Sequence, residues 1–414
     1  MEVEEVIAAV ENAPALRFPE FEGEWVVGKL KDLIKSVDSG WSPQCEAGPS
    51  GIEEWGVLRT TAVMWEGFNE LENKKLPDDL EERSEIEVVA NDILITRAGP
   101  TTRVGVAVHV DKVRPRLMLS DKIIRLKTKD NYVSKFVSLL LANPHAQKQL
   151  VSKSSGLASS QTNISQSILL NINLIYPHKL EQLKISSFLS AVDDKIQQLT
   201  KKRELLEKYK QGVMHQIFSQ QLRFKDENGQ NFPEWELKKA KDVFKNHSNK
   251  KHDGDLPILA ITQDMGTVLR DSIGIDIKSS EASVKSYKII EKGDFIISLR
   301  SFQGGIEYSD ITGICSPAYT VLKATTEIDS NFFKFYFKKD SFIQQLSATV
   351  VGIRDGKQIS YDAFSGMKLL FPSVPEQTKI SEFLTAIDAK ISLVAKQLEQ
   401  VRKFKKGLLQ QMFV

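Results

Sequence analysis

Two stretches of this chain, 195 residues apart, spell nearly the same sequence. Residues 181–191 read EQLKISSFLSA, and residues 376–386 read EQTKISEFLTA. The match continues without a gap, through Gly212 with Gly407, as far as Phe218 with Phe413. So long an internal repeat predicts that one architecture is used twice.

Both copies have the apolar periodicity of a coiled-coil helix, in which spacings of four and three residues alternate. In the second copy this seam consists of Ile380, Leu384, Ile387, Ile391, Val394, Leu398 and Val401. In the first copy it consists of Ile185, Leu189, Val192, Ile196, Leu199, Arg203 and Leu206. Because such a seam must be buried, we predict that two long helices, 181–220 and 376–414, pair as an antiparallel coiled coil. Each would be about 58 Å long at 1.5 Å per residue. The sequence leaves the pairing direction open, and the alternative is two helices within a larger core.

The stretches between these helices, 17–180 and 221–375, share an order of features but little sequence. Each opens with a Phe-Pro pair, at Phe18 and Phe232, and has a tryptophan soon afterwards. Apolar runs flanked by glycine predict strands in matching order, with an apolar helix before the last strand. We therefore predict an α+β fold of two globular domains, each with a curved, mostly antiparallel sheet, separated and terminated by the long helices. Residues 1–16 form an acidic leader outside this pattern.

The composition, with 41% hydrophobic and 27% charged residues, is that of an ordinary globular protein. No apolar run approaches the roughly 20 residues that cross a bilayer. The acidic start is unlike a signal peptide, so we expect a cytoplasmic protein with no membrane partner. Cys45 and Cys315 are far apart, which disfavours a disulfide framework or a thiolate metal site.

The charge is unevenly distributed, although the net charge is only +2. Six lysines face one acid between Lys238 and Lys251, and seven basic residues face two acids between Arg103 and Lys127. In contrast, residues 66–87 hold nine acids and three bases. Basic runs attract phosphate and acidic ones repel it, although a solvated surface is the commoner role of any single basic run.

Two unlike globular stretches with near-duplicate helices resemble the sequence-specificity subunits of type I restriction-modification enzymes. The resemblance rests on the Phe-Pro openings, on the strands that follow Asp92 and Asp294, and on the Glu-Gln-x-Lys-Ile helix starts. It covers the chain from about Ala15 onward. It implies that each globular stretch is a target-recognition domain, in a subunit with no catalytic residues and no metal site of its own.

The same resemblance implies the partners. They are double-stranded DNA, two modification subunits and, in the full complex, two restriction subunits. S-adenosylmethionine, ATP and magnesium would be bound by those partner subunits, with no cofactor in this chain. Outward-facing apolar side chains of the helices, together with Phe404 and Phe413, are the expected docking groups.

Two different domains on a two-fold scaffold suit an asymmetric, bipartite DNA target, because the duplex backbone is locally symmetric even where its sequence is not. Each domain would read one half, and the helix pair would set the spacer. Half-sites one helical turn apart have centres about 34–36 Å apart, a distance within the length of such helices.

Base identity has to be read by side chains at the groove edges. Arginine can bind guanine through two hydrogen bonds, glutamine and asparagine can bind adenine, and aspartate can accept from cytosine. The candidates in the first domain are Arg59, Thr60, Arg97, Thr101, Thr102, Arg103, Ser159, Gln161, Thr162 and Asn163. The candidates in the second domain are Gln263, Arg300, Gln303, Arg354, Asp355, Lys357 and Gln358. For any one of them, an ordinary polar loop residue is the simpler interpretation.

Enzyme functions have less support in the sequence. The nearest match to a methyltransferase loop, Asn143-Pro144-His145, lacks the second proline and the aromatic residue. The segment that starts at Gly352 is one residue short of a phosphate-binding loop and ends in glutamine. The remaining alternatives are a coiled-coil assembly scaffold that does not read bases and, less favoured, a nuclease.

Overall fold

The structure is a computed structural model that describes residues 12–45, 47–154, 162–263, 265–274, 281–349 and 359–414. The chain divides into two compact units. Unit 1 comprises the chain up to Gln198 together with Leu398–Val414, and unit 2 comprises Leu199–Gln397. Each long helix therefore contributes one part to each unit. The boundaries 17–180 and 221–375 stay a prediction, because the compact units divide the helices between them.

Unit 1 contains short strands, short helices and the first part of one long helix. Its strands are β1 (Val26–Lys29), β2 (Ile34–Ser39), β3 (Gly56–Leu58), β4 (Val63–Met64), β5 (Gly67–Phe68), β6 (Asn73–Lys75), β7 (Ile93–Thr96), β8 (Ala98–Gly99), β9 (Ala107–His109), β10 (Leu117–Met118), β11 (Ile123–Thr128), β12 (Thr162–Asn163) and β13 (Asn173–Tyr176). Its helices are α1 (Leu30–Leu33), α2 (Ser134–Ala142), α3 (Pro144–Lys153), α4 (Gln166–Leu170) and the start of α5 (Lys179–Phe218).

An antiparallel four-stranded sheet with the order β2-β11-β7-β9 is the centre of unit 1. Successive side chains of a strand point to opposite faces. In β7, Ile93 and Ile95 enter one buried cluster while Leu94 enters another, so both faces are covered. This explains why the strand is apolar throughout. A three-stranded sheet, β10-β3-β6, and the pairs β1-β13, β4-β5 and β8-β12 surround it.

Unit 2 repeats this order of elements. Its strands are β14 (Glu236–Lys239), β15 (Phe244–His247), β16 (Leu259–Thr262), β17 (Gly266–Leu269), β18 (Lys288–Ile290), β19 (Phe295–Ile297), β20 (Glu307–Tyr308), β21 (Gly313–Cys315), β22 (Thr320–Ala324) and β23 (Lys368–Phe371). Its helices are the end of α5, then α6 (Ala240–Val243), α7 (Glu281–Val284), α8 (Ser301–Gly304), α9 (Ser330–Tyr336), α10 (Asp340–Ala348), α11 (Tyr361–Ser365) and the start of α12 (Val374–Gln411).

The central sheet of unit 2 has the order β15-β22-β19-β20, which is the order of the sheet in unit 1 taken element by element. The pair β14-β23 likewise repeats β1-β13. In β19, Phe295 and Ile297 enter one cluster and Ile296 another. The predicted α+β class with a duplicated, mostly antiparallel sheet is therefore confirmed.

One predicted helix is divided in the structure. The sequence predicts a single helix over 332–342, but α9 ends at Tyr336 and α10 begins at Asp340. Lys339 lies between them with an extended backbone, φ −72° and ψ 140°. Unit 1 has the same break between α2 and α3, where the Asn143 side chain accepts from the N–H of His145 and Pro144 starts the new helix.

The two long helices meet in an antiparallel manner within each unit. In unit 1, Leu189 near the start of α5 shares a buried cluster with Met412, the residue directly after α12. In unit 2, Leu384 near the start of α12 shares a cluster with Ile217 near the end of α5. Both contacts join residues that the repeat places at equivalent positions. The predicted pairing is therefore present in each unit.

Ion pairs between the helices follow the same symmetry. Lys405 contacts Asp193 at 2.6 Å in unit 1, and Lys210 contacts Asp388 at 2.6 Å in unit 2. The repeat offset relates both members of one pair to those of the other.

Phe413 corrects one expectation about the helix surface. It is 5% exposed and stacks on Phe136 with 5.6 Å between ring centroids, so it belongs to the core of unit 1. Phe404 is 55% exposed, and its equivalent in the first copy, Tyr209, is 53% exposed. None of the helices in the described ranges combines the length and apolar character needed to span a membrane.

The repeated Glu-Gln pair at each helix start is buried. In unit 1, Glu181 accepts hydrogen bonds from the Arg17 guanidinium at 2.8 Å and from the Trp25 indole at 3.3 Å. Gln182 accepts from the N–H of Val133 at 3.0 Å and donates to the carbonyl of Pro177 at 2.8 Å. These contacts explain why the domain opening carries an arginine and a tryptophan.

Unit 2 repeats these contacts. Glu376 accepts from Arg223 at 3.0 Å and from Trp235 at 2.9 Å. Gln377 accepts from the N–H of Asp329 at 2.9 Å and donates to the carbonyl of Pro372 at 2.8 Å. The same polar contacts thus join each helix start to the globular part of its unit.

Candidate nucleic-acid interface

Equivalent loops leave the central sheet in the two units. The first loop, residues 97–105, connects β7 to β9 and contains β8. The second loop, residues 298–305, connects β19 to β20 and contains α8. Each ends on a glycine with positive φ, 86° at Gly105 and 81° at Gly305. Gly305 cannot be replaced without strain, because a Cβ atom there would lie 2.1 Å from the carbonyl oxygen of Phe337.

A buried aspartate precedes each strand that leads into these loops. Asp92 accepts from the N–H of Val89 at 3.0 Å, and Asp294 accepts from the N–H of Glu291 at 2.8 Å. Burial raises the pKa of both carboxyl groups. These aspartates hold the turn before the strand, which is a structural role.

The first loop gathers four of the predicted residues. The N–H of Ile164 donates to the carbonyl of Arg97 at 2.8 Å, and β12 pairs with β8. The hydroxyls of Thr101 and Thr162 lie 2.7 Å apart. Asn163 follows directly and is exposed, whereas Thr162 is buried. The strand pair thus brings Arg97, Thr101, Thr162 and Asn163 together.

Arg103 lies in the same loop with an unusual environment. Its N–H donates to the carbonyl of Pro100 at 2.8 Å, and its own carbonyl accepts from the Thr96 hydroxyl. Among the residues that the structure describes, its Nε and Nη2 are buried without a hydrogen-bond partner. Thr102, next to it, is exposed.

Arg59 and Thr60 belong to another part of unit 1, at the end of β3 in the three-stranded sheet. The N–H of Arg59 donates to the carbonyl of Glu72 at 2.9 Å, and its guanidinium donates to the carbonyl of Ala47. Thr60 begins a single 3₁₀ turn that ends at Ala62. These contacts tie both residues to that sheet and not to the first loop.

The second loop gathers all three described candidates of unit 2. The carbonyl of Arg300 accepts from the N–H of Gln303 at 2.9 Å and from Nε2 of Gln263 at 2.9 Å. Gln263 lies at the turn between β16 and β17, so this bond joins the hairpin to the loop. All three side chains are exposed. The remaining candidates, Ser159, Gln161, Arg354, Asp355, Lys357 and Gln358, lie outside the described residues.

One basic run is not the free surface that its composition suggests. Arg125 is 3% exposed and donates to the carbonyls of Glu87 and Glu85, at 2.7 and 2.9 Å. Arg114 donates to Ser50 Oγ at 2.6 Å. In the lysine run 238–251, by contrast, Lys239, Lys241, Lys245, Lys250 and Lys251 are exposed. Accessible positive charge is therefore better supported near β14 and β15 than along 103–127.

Two side chains that contact the loops were missed by sequence reasoning: Gln147 donates to the carbonyl of Gly105 and Lys338 donates to the carbonyl of Gly304, each at 2.8 Å. Both lie in or beside helices that follow the central sheet, where a polar residue reads as ordinary helix surface. Only their tertiary contacts distinguish them.

Comparison with known proteins matches both halves of the chain. The family model described as "Type I restriction modification DNA specificity domain" matches residues 22–208 and 233–403. The type I restriction enzyme EcoEI specificity subunit of Escherichia coli is 39% identical over 193 residues, which cover 46% of this chain and 32% of that protein. The putative type I restriction enzyme MjaX specificity subunit of Methanocaldococcus jannaschii is 24% identical over 419 residues, covering 96% of this chain and 95% of that one.

A solved structure has the same fold. The S subunit of a type I restriction-modification system from M. genitalium superposes with a TM-score of 0.59 at 17% identity. The match covers 97% of this chain and 99% of that chain. At this identity the likeness concerns the fold alone.

Proposed function

The chain belongs to the family of type I restriction-modification DNA specificity domains, and from that premise we propose that each unit reads one half of an asymmetric, bipartite DNA target. The observation that carries the proposal is the pair of equivalent loops. Both follow the same strand of a sheet with the same order, yet their sequences differ. Equal placement with unequal side chains is what two readers of different sequences require.

The loop chemistry supports base contact. In unit 2, Arg300, Gln303 and Gln263 present guanine- and adenine-type donors from one exposed cluster. In unit 1, Arg97 and Asn163 take the corresponding place. Arg103 lies in the same loop and stays a candidate, but its Nε and Nη2 are buried and would have to become exposed to reach a base. We expect the exposed lysines of 238–251 to contact phosphates.

Partners and cofactors are part of the proposal. The chain would be non-catalytic and would act in the cytoplasm, joined to two modification subunits and, in the full complex, to two restriction subunits. S-adenosylmethionine, ATP and magnesium would be bound by those subunits. The helix pair would set the spacer between the two half-sites.

Mapping of methylated adenines in cells that express this chain with its modification subunit tests the function. We expect one bipartite motif with adenine methylation on each strand. A gel shift with competitor DNA distinguishes the alternatives. A scaffold would show no sequence preference, and a nuclease would cleave DNA alone with magnesium. Either result would contradict the proposal.

A further inference from the structure

In each unit, one polar side chain from outside the loop donates a hydrogen bond to a carbonyl at the end of the loop. In unit 1, Nε2 of Gln147 in α3 donates to the carbonyl of Gly105, the last residue of the first loop, at 2.8 Å. The same amide group donates to the carbonyl of Leu141 in α2 at 2.7 Å. Both amide hydrogens are thus used, and one side chain joins the loop to two helices.

In unit 2 an ammonium group binds the corresponding loop from a different position, because Lys338 lies between α9 and α10 whereas Gln147 lies within α3. Lys338, which follows α9, donates to the carbonyl of Gly304 at 2.8 Å and to the carbonyl of Gln263 at 3.2 Å. Its third contact is Glu307 Oε1 at 2.5 Å, and the Glu307 side chain is 2% exposed. A lysine has three donors, and here all three are directed into the protein. Lys338 therefore does not serve as a phosphate contact.

The bonds of Lys338 connect the two segments that carry the candidate residues of unit 2. Gly304 belongs to the second loop, and Gln263 belongs to the β16–β17 turn. Nε2 of Gln263 donates in turn to the carbonyl of Arg300, so the second loop, the β16–β17 turn and the segment between α9 and α10 form one hydrogen-bonded set. A displacement of Lys338 would release the loop and the turn together.

We propose that Gln147 and Lys338 are positioning residues, each of which fixes the loop of its own unit and thereby the base preference of one half-site. The inference rests on the proposed function. Base recognition requires donors held within about 0.5 Å of their working positions, which needs support from outside the contacting residues. We call Gln147 and Lys338, with their hydrogen bonds to the loop carbonyls, the tethers. Each tether binds its loop at the glycine end, where the backbone itself is least restricted.

Two single variants, Gln147→Leu and Lys338→Met, test this in the reconstituted complex with the modification subunit. The measurement is methylation of a randomised bipartite target library, read by sequencing. We expect each variant to lower discrimination about tenfold at one or more positions of one half-site, in line with the usual cost of a mismatched base pair. The two variants should affect opposite halves. The dependence of DNA binding on salt should not change, because neither side chain neutralises a phosphate.

Matched controls separate positioning from charge and from general damage. Lys334→Met removes the same charge from an exposed position four residues before Lys338, and Lys148→Met alters the exposed neighbour of Gln147. Both should leave both half-sites intact. Lys338→Arg retains donors and should restore most of the discrimination, which also covers the case in which Lys338→Met fails to assemble.

The outcomes separate the inference from its premise. A wild-type complex that selects no bipartite motif overturns the proposed function. A wild-type complex with a clear motif, combined with variants that keep it or that relax both halves alike, overturns only the role of the tethers.

Discussion

Units 1 and 2 share a frame but fill it differently. Around the equivalent helix, unit 1 packs Val137 and Leu141 where unit 2 packs Phe333 and Phe337. The polar contacts at the helix starts, in contrast, recur residue for residue, with Glu181 matched by Glu376. The comparison teaches that the shared strand order does not depend on one set of core side chains. The same few buried polar contacts occur in both units, and different hydrophobic residues of suitable total volume fill the two cores.

The largest expected effect comes from truncating a ring that lies at the end of the repeat. Phe413→Ala should lower the free energy of unfolding by about 4 kcal/mol, because it removes a buried aromatic ring stacked on Phe136. The exposed Phe404 offers the matched control, and Phe404→Ala should change stability little. Chemical denaturation of both variants measures the difference, and hydrogen exchange should place the loss in unit 1. Equal effects of the two variants would contradict the assignment of Phe413 to the core.

The next largest loss of unfolding free energy should come from removing the charge of a buried carboxylate, and the loss should differ between the two units. Glu181→Gln removes the ion pair of the Arg17 guanidinium, which keeps only the more distant Glu22 as an acidic neighbour, at a cost of about 3 kcal/mol. Glu376→Gln should cost less, because Arg223 also contacts Glu234 at 3.0 Å. Denaturant midpoints of the two variants, with exposed Glu382→Gln as the control, test the order. A loss for Glu376→Gln that equals or exceeds the loss for Glu181→Gln would show that Glu234 does not compensate Arg223.

The sequence predicted the elements whose signal is local or repeated. The heptad seam predicted both long helices, and apolar runs predicted the strands that became β7 and β19. The tethers could not be predicted, because Gln147 and Lys338 gain their roles only when distant carbonyls are brought to them.

Charge composition misled for a similar reason. The guanidinium of Arg125 forms ion pairs with Asp38 and Asp92 and donates to the carbonyl of Glu87, all of which lie outside the basic run. Phe413, too, looks like a free helix end until α2 is packed against it. The candidate base-reading residues remain predictions, and nine of them lie at these loops, six at the first loop and three at the second.

A smaller difference between the units should appear on acidification. Burial lowers the pKa of His109 in β9, whereas Tyr308 holds the corresponding register position in β20. Below an unfolded pKa of about 6.5, the unfolded chain binds a proton that the folded chain does not, so stability falls as pH falls towards the lowered folded pKa. Unit 1 should lose protection from hydrogen exchange between pH 7 and pH 5 more than unit 2 does, and His109→Gln should remove that excess. The raised pKa values of Asp92 and Asp294 occur in both units and cancel in this comparison.

The smallest effect is expected from the most drastic change of connectivity. In unit 2 the N–H of Leu222 donates to the carbonyl of Gln216 at 3.0 Å across a continuous turn. The N–H of Leu16 makes the equivalent bond to Gln411 at 2.8 Å, but there the two residues come from opposite ends of the described chain.

Seven described residues, 412–414 and 12–15, are available to join Gln411 to Leu16, whereas five suffice in unit 2. A circular permutant that joins Val414 to Asn12 and opens the chain after Gln220 should therefore keep its fold, with a melting temperature within a few degrees of the parent. Thermal unfolding and circular dichroism test this. A control permutant with the same joined ends, opened instead inside α5 after Gln198, should fail to fold. If the permutant opened after Gln220 does not fold, although its sequence interrupts neither α5 nor α12, the turn at 217–221 is required for folding and the connection at Leu16 cannot replace it.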